Sequence, residues 1–207
     1  MTRALAGPVG LLVLAAATSI GAPRPASASV VLALDLDELV AQSDEIVVAE
    51  VLSQSASWVG RRIETDVRLR VDETVFGSSR RGNVIVVRRI GGNVGEIGMR
   101  VEGEPTFVVG QRTLLFLRRA YGILRVVGMS QGAMRIEPGT PPIVHPGGAG
   151  LALVRRSATG AMEDVDPASL PQSRPLAEML DDVRSAVAAR RPPTLTPSTP
   201  TGAPTGR

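Results

Sequence analysis

Between residues 62 and 72 the chain alternates without a fault: Ile63, Thr65, Val67, Leu69 and Val71 are separated by Arg62, Glu64, Asp66, Arg68, Arg70 and Asp72. Successive side chains of a β-strand point to opposite faces, so a period of two held this long fits a strand with one face in a core and the other in water. A helix would scatter the same residues around its axis and bury charge. Such a strand needs neighbours, and the chain supplies them. Ile46–Leu52 is a β-branched run that predicts a mostly buried strand, and Val84–Val87, Thr113–Leu117, Ile123–Val127 and Ala133–Ile136 predict four more. Tyr121-Gly122 and Ser130-Gln131-Gly132 are placed as hairpin turns between them. With no helical segment separating these strands, the fold class is mainly β, an antiparallel barrel or sandwich rather than a parallel α/β sheet.

Two helices flank the strands. Leu36, Leu39 and Val40 recur at helical spacing, and Asp35 followed by Glu38 has the form of a capping box at the start of that short N-terminal helix. Near the other end, Pro175 precedes a segment whose Leu176, Met179, Leu180, Val183 and Val187 share one helical face, so a C-terminal helix is expected to pack on the barrel. Between them, residues 138–175 are rich in Pro and Gly, with only Leu151–Val154 strong enough for a further strand.

The ends have their own character. Residues 1–28 carry Arg3, an apolar stretch from Ala4 to Ala17 and the small-residue box Ala26-Ser27-Ala28, the pattern of a secretory signal peptide with a core too short to span a bilayer. Left uncleaved, the same stretch would anchor the chain. Residues 191–207 are Pro, Thr, Ser, Gly and Ala with one Leu, a composition too poor in apolar groups to bury itself and expected to be a disordered tail. The expected organisation is therefore a leader (1–28), a barrel core (29–137), a Pro/Gly-rich extension with one strand and the helix (138–190), and the tail (191–207). The expected localisation is outside the cytoplasm, in the periplasm or the medium, with no membrane attachment once the leader is removed.

Composition narrows the chemistry. There is no cysteine, so disulfides, thiol nucleophiles and thiolate metal sites are excluded. There is also no lysine, which alone explains the high isoelectric point. Arg3 and Arg24 lie in the leader, which has no carboxylate, so the 23 basic and 20 acidic side chains become 21 and 20 after cleavage, a net +1. That near-neutral balance argues against nucleic acid, which is gripped by a clustered excess of cations.

Specific motifs carry a resemblance. Ser43-Asp44-Glu45-Ile46-Val47-Val48-Ala49-Glu50-Val51, the charged strand ending in Val75-Phe76-Gly77, the run from Gly103-Glu104-Pro105 to Leu117, and Val126-Val127-Gly128-Met129-Ser130-Gln131-Gly132 follow in order. Over Asp35 to Ile136 the chain resembles a group of uncharacterised exported bacterial proteins. More distantly it resembles the OB-type barrel of the netrin and tissue-inhibitor-of-metalloproteinase (TIMP) superfamily. The resemblance implies an antiparallel OB-like, TIMP-like barrel. The metalloproteinase inhibitors chelate zinc through an N-terminal cysteine, and Ser29 is the expected mature N-terminus here, so the barrel carries over and that mechanism does not. Within residues 103–117, Phe107 and Val109 are expected to face the core, Gly110 to allow a tight reversal, and Leu115 and Leu117 to line the interior.

Candidate chemistry is sparse. His145, the only histidine, is expected in a solvent-facing loop, with no nucleophile elbow to complete a triad. Asp35, Asp37 and Glu38 are accounted for by the helix cap, and Glu163, Asp164 and Asp166 lack the spaced ladder of a calcium loop, so no metal or cofactor is assigned. Gly91-Gly92-Asn93-Val94-Gly95 lacks the Lys-Ser/Thr of a phosphate loop and predicts a flexible inter-strand turn. Glu96, Glu102 and Glu104 are expected on a polar barrel rim. Among five aromatics, Phe76, Phe107 and Phe116 fit the core. Trp58, placed in a turn spanning Ser55–Gly60 with Arg61 and Arg62 beside it, is the expected partner contact, because aromatic residues and arginine dominate contact hot spots. Its alternative is a ring folded over the barrel end. The sequence thus points to an exported, non-enzymatic binding module. Its partner is an unidentified extracytoplasmic protein, with a protease inhibitor as the sharpest form by fold analogy. The alternative is a secreted hydrolase using loop carboxylates or His145.

Overall fold

The computed structural model describes residues 30–148, 151–157 and 159–190; the segments expected to be a leader and a disordered tail lie outside them. In chain order the elements are β1 (Val30–Leu32), α1 (Leu36–Ala41), β2 (Glu45–Val59), β3 (Arg62–Phe76), β4 (Val84–Ile90), β5 (Gly92–Val94), β6 (Ile97–Met99), β7 (Arg112–Ala120), β8 (Ile123–Val126), β9 (Ala133–Glu137), β10 (Ile143–His145), β11 (Ala152–Arg156), β12 (Met162–Asp164), β13 (Arg174–Pro175) and α2 (Leu176–Ala189).

The alternating segment is β3. Ile63, Val67, Leu69 and Val71 are fully inside, while Arg68 and Arg70 point to water, as a strand between a core and solvent requires. It pairs with β2 on one side and β4 on the other, both antiparallel. β4 meets β8 in parallel at Val87 and Leu124, β8 pairs with β7, and β7 returns to β2, so five strands close into a ring. Val47, Ala49, Val51, Val67, Leu69, Leu115 and Leu117 fill it, with Phe107 and Leu124.

A second core lies on the other side of β2 and β7. Ile46, Val48, Leu114 and Phe116 face outward from the ring and are covered by α1 and α2, which supply Leu39, Val40, Met179, Leu180 and Val183. β2 and β7 are therefore apolar on both faces, which explains their unbroken hydrophobic runs. The C-terminal helix packs through the predicted face, with Leu176, Met179, Leu180 and Val183 buried and Val187 partly so. The N-terminal capping box is present: Glu38 N–H donates to Asp35 Oδ1 at 2.8 Å and Asp35 N–H donates to Glu38 Oε2 at 2.9 Å.

Several expectations need correction. Gly91–Gly95 is not a flexible turn: Gly92–Val94 pairs with Ile97–Met99 as a small hairpin laid over the end of the ring. Gly92 sits where a Cβ would stand 2.3 Å from Thr65 Oγ1 and 3.0 Å from Ala56 Cβ, so only glycine lets the two layers approach. Ser130–Gly132 is not a hairpin turn either. A 3-10 turn over Met129–Gly132 passes the chain from β8 to β9, two strands that share one edge of β7. There Gln131, buried, accepts from Leu34 N–H at 2.9 Å and donates to Leu32 O at 3.0 Å, tying the N-terminal segment down. Phe107 is buried as expected, but Val109 is exposed because the chain reverses at Gly110 (φ 84°) before the alternation can place it inward. Residues 138–190 carry four short strands, not one; β1 joins β11 in parallel and β12 follows antiparallel to β11.

Phe116 is fully buried at the centre of the second core, so Phe116→Ala should lower unfolding free energy by about 3–5 kcal/mol. Val86→Ala, at an exposed position on β4, should change it by no more than about 0.5 kcal/mol. Urea denaturation of both variants checks this, and equal midpoints would contradict the two-core arrangement.

Candidate functional site

The β2–β3 hairpin is longer than the ring it helps to form. β2 is registered to β7 only over residues 45–50, whereas it pairs with β3 to the end, Ser53 opposite Arg68 through Val59 opposite Arg62. Its far part stands beyond the barrel mouth. Trp58 is in the strand, not in a turn over 55–60, because pairing in register with the strongly alternating β3 overrides the weak strand preference of the Ser/Ala run. The reversal is confined to Gly60 (φ 61°) and Arg61. Trp58 lies across from the buried Ile63, on the face that continues the barrel interior, and is 49% exposed at the hairpin end. Arg61 is exposed at the tip. Arg62, opposite Val59, is on the outer face and donates through Nε to Glu64 Oε1 at 2.7 Å. The three expected contact residues thus occupy one hairpin end, with Trp58 and Arg62 on opposite faces.

Below Arg62 the outer face carries a charge network that no local motif announces. Glu64 is 2% exposed, roofed by three guanidinium groups: Arg62 Nη2 at 2.5 Å, Arg125 Nη2 at 3.3 Å and Arg88 Nε at 3.6 Å. Arg88 also grips Asp66 with two bonds, Nε to Oδ1 at 2.5 Å and Nη2 to Oδ2 at 2.9 Å. Those bonds hold the Asp66 carboxyl below the usual carboxylate range and raise Arg88 further.

Near the β5–β6 hairpin an open recess of about 500 Å³ is lined by Arg89, Asn93, Arg100, Glu102 and Glu104 among others. The three glutamates expected on a rim are separated. Glu102 pairs with Arg100 at 2.7 Å, Glu96 is exposed between β5 and β6, and Glu104 is partly buried. Burial above all pushes the Glu104 carboxyl above its usual range, although it accepts Ile90 N–H at 3.2 Å and faces Arg125 and Arg89. Burial likewise lowers Arg89, whose Nε has no hydrogen-bond partner among the described residues.

His145 is on β10, not in a loop. Its Nδ1 lies 3.0 Å from Ser173 Oγ and its Nε2 2.8 Å from Glu137 Oε2, partners distant in sequence and brought together by the β9–β10 register and the chain entering β13. Ser173 also borders a cleft of about 410 Å³ lined by Leu34, Met134, Leu153, Leu170 and Pro171. This serine, base and carboxylate chain was not visible in the sequence, since no elbow motif surrounds Ser173.

Because burial raises the folded-state pKa of Glu104, its contribution to stability is fully present below the ordinary carboxylate value and is lost as pH rises through the folded value. Glu104→Gln, which keeps an acceptor for Ile90 N–H, should match the wild type in melting temperature at acid pH and exceed it at neutral pH. Thermal scans across that window check the sign, and a variant less stable at neutral pH would contradict it. No family model, curated protein or solved structure matches the chain.

Proposed function

We propose that this chain is an exported, non-enzymatic binding module whose recognition surface is the protruding end of the β2–β3 hairpin. The observation that carries the reading is the position of Trp58, a large aromatic half in water, on a strand whose outer edge, among the described residues, has no partner strand, with Arg61 at the tip forming no ion pair among them. Tryptophan and arginine held on a rigid two-stranded arm match the composition of contact hot spots. An OB-like assignment for the ring is part of this proposal. It is supported by five strands closed through one parallel pair, and OB-type barrels bind through loops and faces around the mouth. The inhibitor form of the proposal rests on likeness of the barrel alone.

The purified protein, used as bait against exported proteins of the producing organism, tests this with Trp58→Ala alongside. The expected result is a partner retained by the wild type and bound about 30-fold more weakly by the variant, the size of one hot-spot residue. A partner indifferent to Trp58 would overturn the assignment of the surface. A protease captured and slowed by the wild type would support the inhibitor form.

One observation favours a second reading, a hydrolase: the Ser173, His145 and Glu137 chain beside the apolar cleft. There His145 would take the Ser173 proton while Glu137 orients the ring. Ser173→Ala and His145→Ala should each abolish turnover of short acyl esters, and turnover surviving both would remove these residues from any catalytic role.

A further inference from the structure

We infer that the occupant of this hairpin surface is a second copy of the chain, joined through the free edge of β2 in an antiparallel, two-fold pairing centred near Ala56. The inference rests on the reading of the hairpin end as a binding surface and names its partner. From residue 53 to residue 59 β2 pairs with β3 in unbroken register, its irregularities all falling earlier in the strand, and no other strand is registered to it among the described residues. An open edge presents a row of backbone donors and acceptors, and natural proteins blunt such edges with charge, proline or a bulge. This one has none of the three over Ser53–Val59.

The edge is complementary to itself. Residues 51–60 are uncharged, bounded by Glu50 before them and Arg61 after them. Antiparallel pairing with an identical strand therefore opposes no like charges and brings the Arg61 end of each copy towards the Glu50 end of the other. A two-fold axis normal to the sheet keeps matching faces together, so that Ser53 falls opposite Val59 and Gln54 opposite Trp58 of the other copy. Exposed apolar groups gather at both ends of the edge. Trp58 and Val59 stand at one, and at the other stand Leu52 with Val108 and Val109, each of the last two 60% exposed and held beside the strand by Gly110 N–H donating to Val51 O at 2.8 Å. Pairing two copies covers both clusters twice with one contact. A proline-rich strand is a poor ladder partner because proline lacks the N–H, so the Pro/Thr-rich tail is a weaker occupant.

The test uses the sole tryptophan as its own reporter. Over a concentration series from micromolar to millimolar, sedimentation should show a monomer–dimer equilibrium, with the Trp58 emission moving to shorter wavelength as dimer forms. Ser55 is exposed, on the outer face opposite Asp66, so Ser55→Arg and Ser55→Glu leave the barrel intact. Each should weaken self-association about tenfold, because each places like charges across the two-fold pair, and an equimolar mixture of the two should restore it. A protein that stays monomeric at every concentration, or a dimer that both variants leave untouched, overturns the second copy as occupant. The two readings separate cleanly. A monomer that still captures another exported protein through Trp58 keeps the binding surface and loses the dimer, whereas a monomer with no partner that depends on Trp58 loses both.

Discussion

The pairing of β2 with β7 is the constraint from which the rest follows. Over residues 45–49 and 113–117 the two strands are buried on both faces, with Val47, Ala49, Leu115 and Leu117 turned into the ring and Ile46, Val48, Leu114 and Phe116 turned towards the helices. A pair apolar on both sides has no face to give to water, so it demands a layer on each. The ring supplies one through β3, β4 and β8. α1, α2, β9 and β10 supply the other. Each core is small, and neither would be covered without the shared strands between them.

Charge is handled by a chain without lysine, and the consequence is visible on the outer face of the sheet. A guanidinium offers several donors in a planar fork, so one arginine can serve two carboxylates, as Arg88 does for Asp66 and Glu64. Glu64 is buried under three such groups, and Glu45, also buried, is held by Arg119 at 2.8 Å with Ser78 and Ser79. A buried carboxylate needs these partners because removing it from water without compensation is costly. The networks are structural in this sense, since they satisfy carboxylates that the sheet has already covered. Glu104 differs: its backbone bond and nearby arginines do not offset its burial, and its carboxyl is left shifted towards the neutral form.

Much of the architecture was legible because it is written in local periodicity. The inward set Ile63, Val67, Leu69 and Val71, the capping box at Asp35 and Glu38, and the buried face of α2 all depend on neighbours in sequence. What was illegible depends on distant neighbours. The β5–β6 hairpin hides in a glycine-rich stretch, because its place is set by how closely Gly92 approaches Thr65 and Ala56 rather than by any pattern of its own. Val109 continues an apparent alternation that Gly110 cuts short. The roof over Glu64 comes from three different strands, and Ser173 reaches His145 only after the chain has passed through β11 and β12. Trp58, Arg61 and Arg62 lie at one hairpin end simply because they are adjacent in sequence, while their separation onto different faces needed the strand register.

Why the hairpin end remains open is itself a consequence of strand lengths. β2 and β3 each run 15 residues, but β7 leaves β2 after Glu50 whereas β4 follows β3 from Arg70 as far as Glu64. Among the described residues, the far half of β3 is therefore flanked by strands on both sides and the far half of β2 on only one. Closing a ring removes edges wherever the closing strands reach, and here they stop short of Ser53. The two faces of this half differ: Ser53, Ser55 and Ser57 bury little, whereas Gln54 lies opposite Val67 and donates to Phe107 O at 2.9 Å, and Ala56 lies under Gly92. What the interior does not account for is the uncharged edge, the half-exposed Trp58 and Arg61, which forms no ion pair among the described residues, and these are the features the proposed contact would use.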